Sequence, residues 1–157
     1  MKIISKTSAL EELGTAIGVG LLAGLAGTAA ITVSQMIEMK VTKRPQNTAP
    51  AEAVSKVLDV KPTGEDKKEK VSQEVHWTYG TAWGITRGLI SLTGLKGIPA
   101  SLIHFTAIWG AALIMLPSLK LAPPIQEEDA KTISTDILHH AVYAIATGIV
   151  YDAIKND

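Results

Sequence analysis

Residues 13–37 form a run of 25 residues without a charged side chain. An α-helix needs about 20 predominantly apolar residues to cross a bilayer. A second run, residues 97–119, is 23 residues long, and His104 is its one titratable group. Soluble core helices are usually shorter and keep a polar face, so both runs point to an all-α integral membrane protein. The first run reads as a span rather than a secretory signal. Its apolar stretch is too long, and Glu11 and Glu12 stand where a signal carries basic residues.

Two weaker spans complete a four-helix bundle. The expected spans are 13–36, 75–95, 98–119 and 132–154, all in one membrane domain over 1–157. Pro99 suits the first turn of the third. The second holds Arg87. An arginine at a helix centre costs roughly 2.5–3.5 kcal/mol on insertion, and each Leu, Ile or Val returns roughly 0.3–0.6 kcal/mol. Val75, Ile85, Leu89, Ile90, Leu92 and Leu95 about cancel Arg87, so this helix depends on protein neighbours. The fourth has 15 uncharged residues between Asp136 and Asp152, two of them histidines, and is also expected to sit against protein.

The stretch 38–74 is expected to be a loop at one membrane face. Within it, "NTAPAEAVSKVLDV" reads as a short amphipathic helix. Thr48 caps it, Pro50 lies in its first turn, and Val54, Val57 and Leu58 share a face. Such a helix lies on the membrane surface or on the bundle. "KPTGEDKKEK", residues 61–70, reads as a solvated loop. Pro123 and Pro124 stop the third helix, and Glu127, Glu128 and Asp129 favour the dipole of the next. Ten basic residues fall in the first and third connections. Four fall on the other side: Lys2, Lys6, Lys96 and Lys155. The positive-inside rule then puts those connections inside and both termini outside.

Composition excludes several classes. Fifteen basic residues balance fifteen acidic ones, so no net field attracts nucleic acid. The absence of cysteine removes disulfides, thiolate metal sites and cysteine nucleophiles. No phosphate loop, nucleotide fingerprint or nucleophile–base spacing is present, so no catalytic residue is assigned and an enzyme is not expected.

Small residues mark the packing faces. Gly80, Gly84 and Gly88 recur every fourth residue, as do Gly20, Gly24 and Thr28. This spacing lets helix backbones approach closely in lipid. A homo-oligomer is expected, and the helix these glycines meet belongs to the same chain or to a second copy. "HWTYGTAWG" and "HAVYAIATG" also share a pattern: His76, Tyr79 and Gly84 against His140, Tyr143 and Gly148. A tandem repeat of two helix pairs would put His76 and His140 at one depth. It would also bring Arg87 level with Tyr151, next to Asp152.

Ionisable groups inside a membrane face a partner or a watery cavity. Asp152 is the candidate partner of Arg87. With His140 and Tyr143 the two would form a polar inner seam, either structural or a path for protons or small ions. A second reading gathers Glu74, His76, Asp136, His139 and His140 at one membrane face. Imidazoles and carboxylates suit zinc, manganese or non-haem iron, and histidines at equal depth on two helices would allow haem b. Neither spacing is a specific metal pattern, and the default is no cofactor, with the histidines bonding between helices.

"LKLAPPIQEEDAKTISTDILHHAVYAIATG" resembles the C-terminal half of the YagU-like family of small bacterial inner-membrane proteins. Leu121, Pro123 and Pro124 close a helix there, an acidic loop follows, and the last helix opens around His140. "VHWTYGTAWG", residues 75–84, resembles that family's aromatic, histidine-bearing second helix. The charged insert at 61–70 departs from the pattern. The resemblance implies a multi-pass protein of the bacterial inner membrane and supplies no catalytic residue.

Overall fold

The computed structural model describes residues 6–60 and 64–156. Their regular structure is all helical, with no strand among them. The elements are α1 (Lys6–Thr42), α2 (Ala49–Leu58), α3 (Glu65–Ser91), α4 (Gly97–Ser118), a 3₁₀ turn (Ile125–Glu127) and α5 (Ala130–Asn156). Lys2 and Lys61 of the charge balance, and the 61–63 part of the expected loop, lie outside the described residues.

Three helices are long and apolar enough to cross a membrane: α1 from Ser8, α4 and α5. The protein is therefore helical with three candidate transmembrane helices. The expected second span, α3, falls short by composition. The segment expected as a loop at 65–70 is instead its first two turns, adding Asp66, Lys67, Lys68, Glu69 and Lys70 to Glu74 and Arg87. Glu and Lys are good helix formers, and an early acid suits the N-terminal dipole. The helix also stops at Ser91, short of residue 95, and Gly94 turns the chain at φ 86°.

α1 lies along α3 and α5, α4 packs on α5 and α3, and α2 rests on α3. Paired residues fix the directions. Gly20, Gly24 and Thr28 of α1 meet Gly84 and Gly80 of α3, and Ala16 meets Gly88, so α1 and α3 are antiparallel. A Cβ on Gly24 would stand 2.8 Å from Gly84 Cα. No side chain other than hydrogen fits there. Gly27 meets Tyr143 and Thr147 of α5, and Gly148 meets Ser101 of α4. Gly84 thus meets the backbone of α1 while Gly148 meets a side chain of α4, and Tyr79 is exposed where Tyr143 is buried.

α1 has 37 residues, about 55 Å at 1.5 Å per residue. That exceeds the roughly 30 Å hydrocarbon core, so α1 is long enough to span without its last turns, which carry Glu38 and Lys40. Leu22, Met36, Ile98, Leu102, Ile114 and Ile149 point outward and are mostly exposed.

Two ends are built differently from expectation. α4 stops at Ser118, before Pro123 and Pro124. Lys120 takes the left-handed conformation, and the amides of Lys120 and Leu121 bond back to the carbonyls of Pro117 and Leu116. Thr48 precedes α2 but does not bond the helix amides. Its hydroxyl donates to Glu52 at 3.0 Å, and Asn47 Oδ1 accepts the Ala49 amide at 2.9 Å. Val54 is half-buried, while Val57 and Leu58 remain exposed.

Candidate functional site

The polar side chains inside the protein form a group at each end of the long helices, with a layer of buried polar side chains between them. At the end shared by the start of α4 and the end of α5, Arg87 is 0% exposed and pairs with Asp152. The other carboxylate oxygen of Asp152 accepts the Gly97 amide, the first of α4, at 2.9 Å. The Tyr151 ring lies 4.6 Å from the guanidinium carbon. Its hydroxyl bonds Ser91 Oγ at 2.6 Å. One charge pair therefore ties α3, α4 and α5 together, and an aromatic face covers the cation. Arg87 Nε and Nη1 have no hydrogen-bond partner.

A middle layer is held by backbone carbonyls. Tyr143 donates to Gly80 O at 2.6 Å, and His104 bonds Trp83 O at 3.0 Å. A carbonyl only accepts, so His104 carries its proton on Nε2. Such bonds fix helix register without moving charge.

The second group lies at the α2 end. His76 Nε2 is 3.2 Å from Thr32 Oγ1, which donates its own proton to Thr28 O. His76 is therefore the donor there. His140 Nδ1 faces Asp136 twice, at the carbonyl (2.9 Å) and at the carboxylate (3.2 Å). Asp136 also accepts from Trp109 Nε1 at 2.8 Å. His139 is 5% exposed. Its Nδ1 is 2.9 Å from Ser34 Oγ, and its Nε2, without a hydrogen-bond partner, is 4.0 Å from Glu38 Oε2. Arg44 and Thr42 hold the Glu38 carboxylate in place.

Two cavities open beside this group. One, of about 450 Å³, lies between α2, α3 and α4, with Val54, Tyr79, Trp83 and Leu116 on its walls and His76 and His140 within it. The other, of about 560 Å³, lies between α1, α4 and α5 and is lined by Glu38, Arg44, Trp109, Asp136 and His139 among others. Asp136, Gln35 and Asn47 border both.

The expected metal set is not brought together. Glu74 is exposed on α3, His76 bonds α1, His140 bonds Asp136, and His139 faces Glu38. No group of three potential ligands that could hold a metal ion occurs among the described residues. The seam is also divided. His140 and Asp152 are both on α5, and 12 residues of helix separate them by about 18 Å. Arg87 and Asp152 belong to one end, His140 to the other, and Tyr143 lies between. Glu38, Ser34, Arg44 and Trp109 belong to the site without having been expected there. Glu38 is missed because the expected span ends at residue 36, where the uncharged run is about to close. Carrying the helix one turn further stacks Glu38 on Ser34, four residues before it, on the side facing α5.

No family model matches the chain, and neither a curated protein nor a solved structure matches it significantly.

Proposed function

We propose that α1, α3, α4 and α5 cross the membrane as one four-helix bundle, and that this non-enzymatic protein binds a small solute in the largely apolar cavities at the α2 end, which His139, His140 and Asp136 border. The observation that carries this is the unequal treatment of the two polar groups. Arg87 is paired with Asp152, whose carboxylate is tied to α4, and is covered by Tyr151, as a structural lock requires, with Nε and Nη1 left without partners. His139, His140 and Asp136 border open cavities. The division of the seam supports a binding site with one entrance over a continuous proton path. α3 joins the bundle because Gly80, Gly84 and Gly88 bring it against α1. The resemblance to YagU-like proteins supports the bacterial inner membrane as its location.

The lack of cysteine gives a direct test. Single cysteines replace Thr135, which borders the larger cavity, and Thr147, which is fully buried near the lock. In sealed proteoliposomes a membrane-impermeant thiol reagent should label Thr135→Cys from the α2 face alone and leave Thr147→Cys unlabelled from either face. Labelling of Thr147→Cys from both faces would establish a through-path and overturn the reading.

A further inference from the structure

The larger cavity has a polar floor that matches one ligand chemistry. His139 borders the cavity, and its Nε2 is buried and lacks a hydrogen-bond partner. Glu38 Oε2 stands 4.0 Å from it. A buried polar atom left without a partner costs free energy of the order of 1–3 kcal/mol, so His139 Nε2 invites a donor, and Glu38 Oε2, which already accepts from Arg44, is the carboxylate oxygen beside it. Two geometries can be compared. A tetrahedral zinc ion, about 2.0–2.2 Å from each ligand, sets neighbouring donor atoms about 3.4 Å apart. At 4.0 Å it would have to open toward a linear arrangement. A nitrogen donor about 2.9 Å from each atom spans the gap at an angle near 90°, close enough to tetrahedral for two N–H bonds.

Charge and shape agree. Glu38, Glu128, Asp129 and Asp136 border the cavity against Arg44 and Lys131, an excess of two negative charges. Trp109, Leu113, Leu116 and Ile133 supply an apolar wall. We propose that this cavity binds an organic ammonium group carrying an apolar substituent. Two of its N–H groups donate to His139 Nε2 and Glu38 Oε2, and its apolar body lies along Trp109 and Leu116. In that state the imidazole proton is on Nδ1 and the Ser34 hydroxyl accepts it. The inference rests on the solute-binding reading above and names its substrate class. A soluble hydrophobic amine and the headgroup of an ethanolamine lipid both present this chemistry.

The test uses the full chain in phosphatidylcholine nanodiscs, with three probes of nearly equal shape: phenethylammonium, phenethyl alcohol and phenylacetate. Calorimetry should show saturable binding of the ammonium, at least tenfold weaker for the alcohol, and none for the anion. Glu38→Gln and His139→Ala should each weaken ammonium binding about tenfold or more while the helical signal is kept. The three probes on the unaltered chain carry the test if either variant fails to fold. Preferential binding of the alcohol or the anion overturns the ammonium assignment and leaves the cavity a binding site. Binding of none of the three overturns both readings. If the ammonium binds, weakening in ethanolamine-lipid nanodiscs assigns the site to the lipid headgroup, and unchanged binding assigns it to soluble amines.

Discussion

Replacing Gly84 with alanine should loosen the contact between α1 and α3. The added Cβ would meet Gly20 O, Gly24 Cα at 2.6 Å and Gly24 N at 2.7 Å. All three are backbone atoms of another helix, so no rotamer change relieves the clash and α1 must move away. Overpacking costs typically 1–3 kcal/mol. Here the absence of any yielding side chain puts the gross cost near the top of that range, about 3 kcal/mol. Alanine's better helix propensity returns at most about 1 kcal/mol, which leaves a net loss of about 2 kcal/mol. Gly18→Ala is the matched control. It changes the same atoms on α1 with nothing within 4 Å of the new Cβ, so it should be neutral or stabilise by up to about 1 kcal/mol. The difference between the variants, about 3 kcal/mol, is roughly a hundredfold in the folded-to-unfolded ratio. Denaturant titration in mixed micelles, followed by tryptophan fluorescence with Trp83 next to the substituted site, measures it. Equal midpoints for the two variants would refute the argument that α1 and α3 touch backbone to backbone.

The Arg87–Asp152 pair should behave as a unit: removing one partner of a buried pair costs about 3–5 kcal/mol. The loss should be greater for Asp152→Leu, which strands a cation at 0% exposure, than for Arg87→Leu, which leaves a carboxylate 21% exposed. The double variant should recover most of either loss in the same titration, and additive losses would show the pair is not coupled. Asp129 precedes α5 and accepts the Thr132 hydroxyl, the Thr132 amide and the Lys131 amide. The Thr132 hydroxyl bond comes first in holding its carboxyl below the ordinary aspartate range. A depressed carboxyl stabilises above its unfolded pKa of about 3.9 and loses that contribution as pH falls through the lower, folded value. Amide exchange at Lys131 and Thr132, corrected for its intrinsic pH dependence, should therefore lose protection below about pH 4. Asp129→Asn should remove that dependence.

The helices that hold the protein together were legible where one physical term dominates. Uncharged runs at 13–37 and 97–119 mark α1 and α4 because hydrocarbon admits little else. The fourth-residue glycines were legible because their spacing is itself the geometry of close approach. Asp152 could be named as the partner of Arg87 by aligning two helices on His76 and His140. What failed to show was set by longer-range effects. Residues 65–70 read as loop because their charge says solvent, but charge does not decide between solvated loop and solvated helix, and propensity favours the helix. Glu38 was hidden by the assumption that a span ends with its last apolar residue. The five candidate ligands share a membrane face in the sequence, yet which side of a helix each occupies depends on the packing of α1 and α5, which sequence spacing alone does not contain.

The glycine stripe and the buried arginine are two parts of one arrangement. α3 carries Arg87, and because it ends at Ser91 only Val75, Ile85, Leu89 and Ile90 of the expected apolar residues lie on it, too few to offset the arginine. Gly80, Gly84 and Gly88 change the balance by letting the α3 backbone settle against Ala16, Gly20, Gly24 and Thr28 of α1. At that separation Arg87, one residue before Gly88, is enclosed by protein and meets Asp152 and Tyr151 of α5. A bulkier residue at 84 would do more than strain one contact. By pushing α3 outward it would open the surroundings of an ion pair whose value depends on exclusion of water and on being complete. Gly84→Ala and Asp152→Leu should therefore couple in a double-mutant cycle although the two residues lie on different helices. The expected sign is a combined loss smaller than the sum, since a loosened α3 lets water reach the stranded arginine. A strictly additive pair would mean that close packing and charge burial are independent features of this fold.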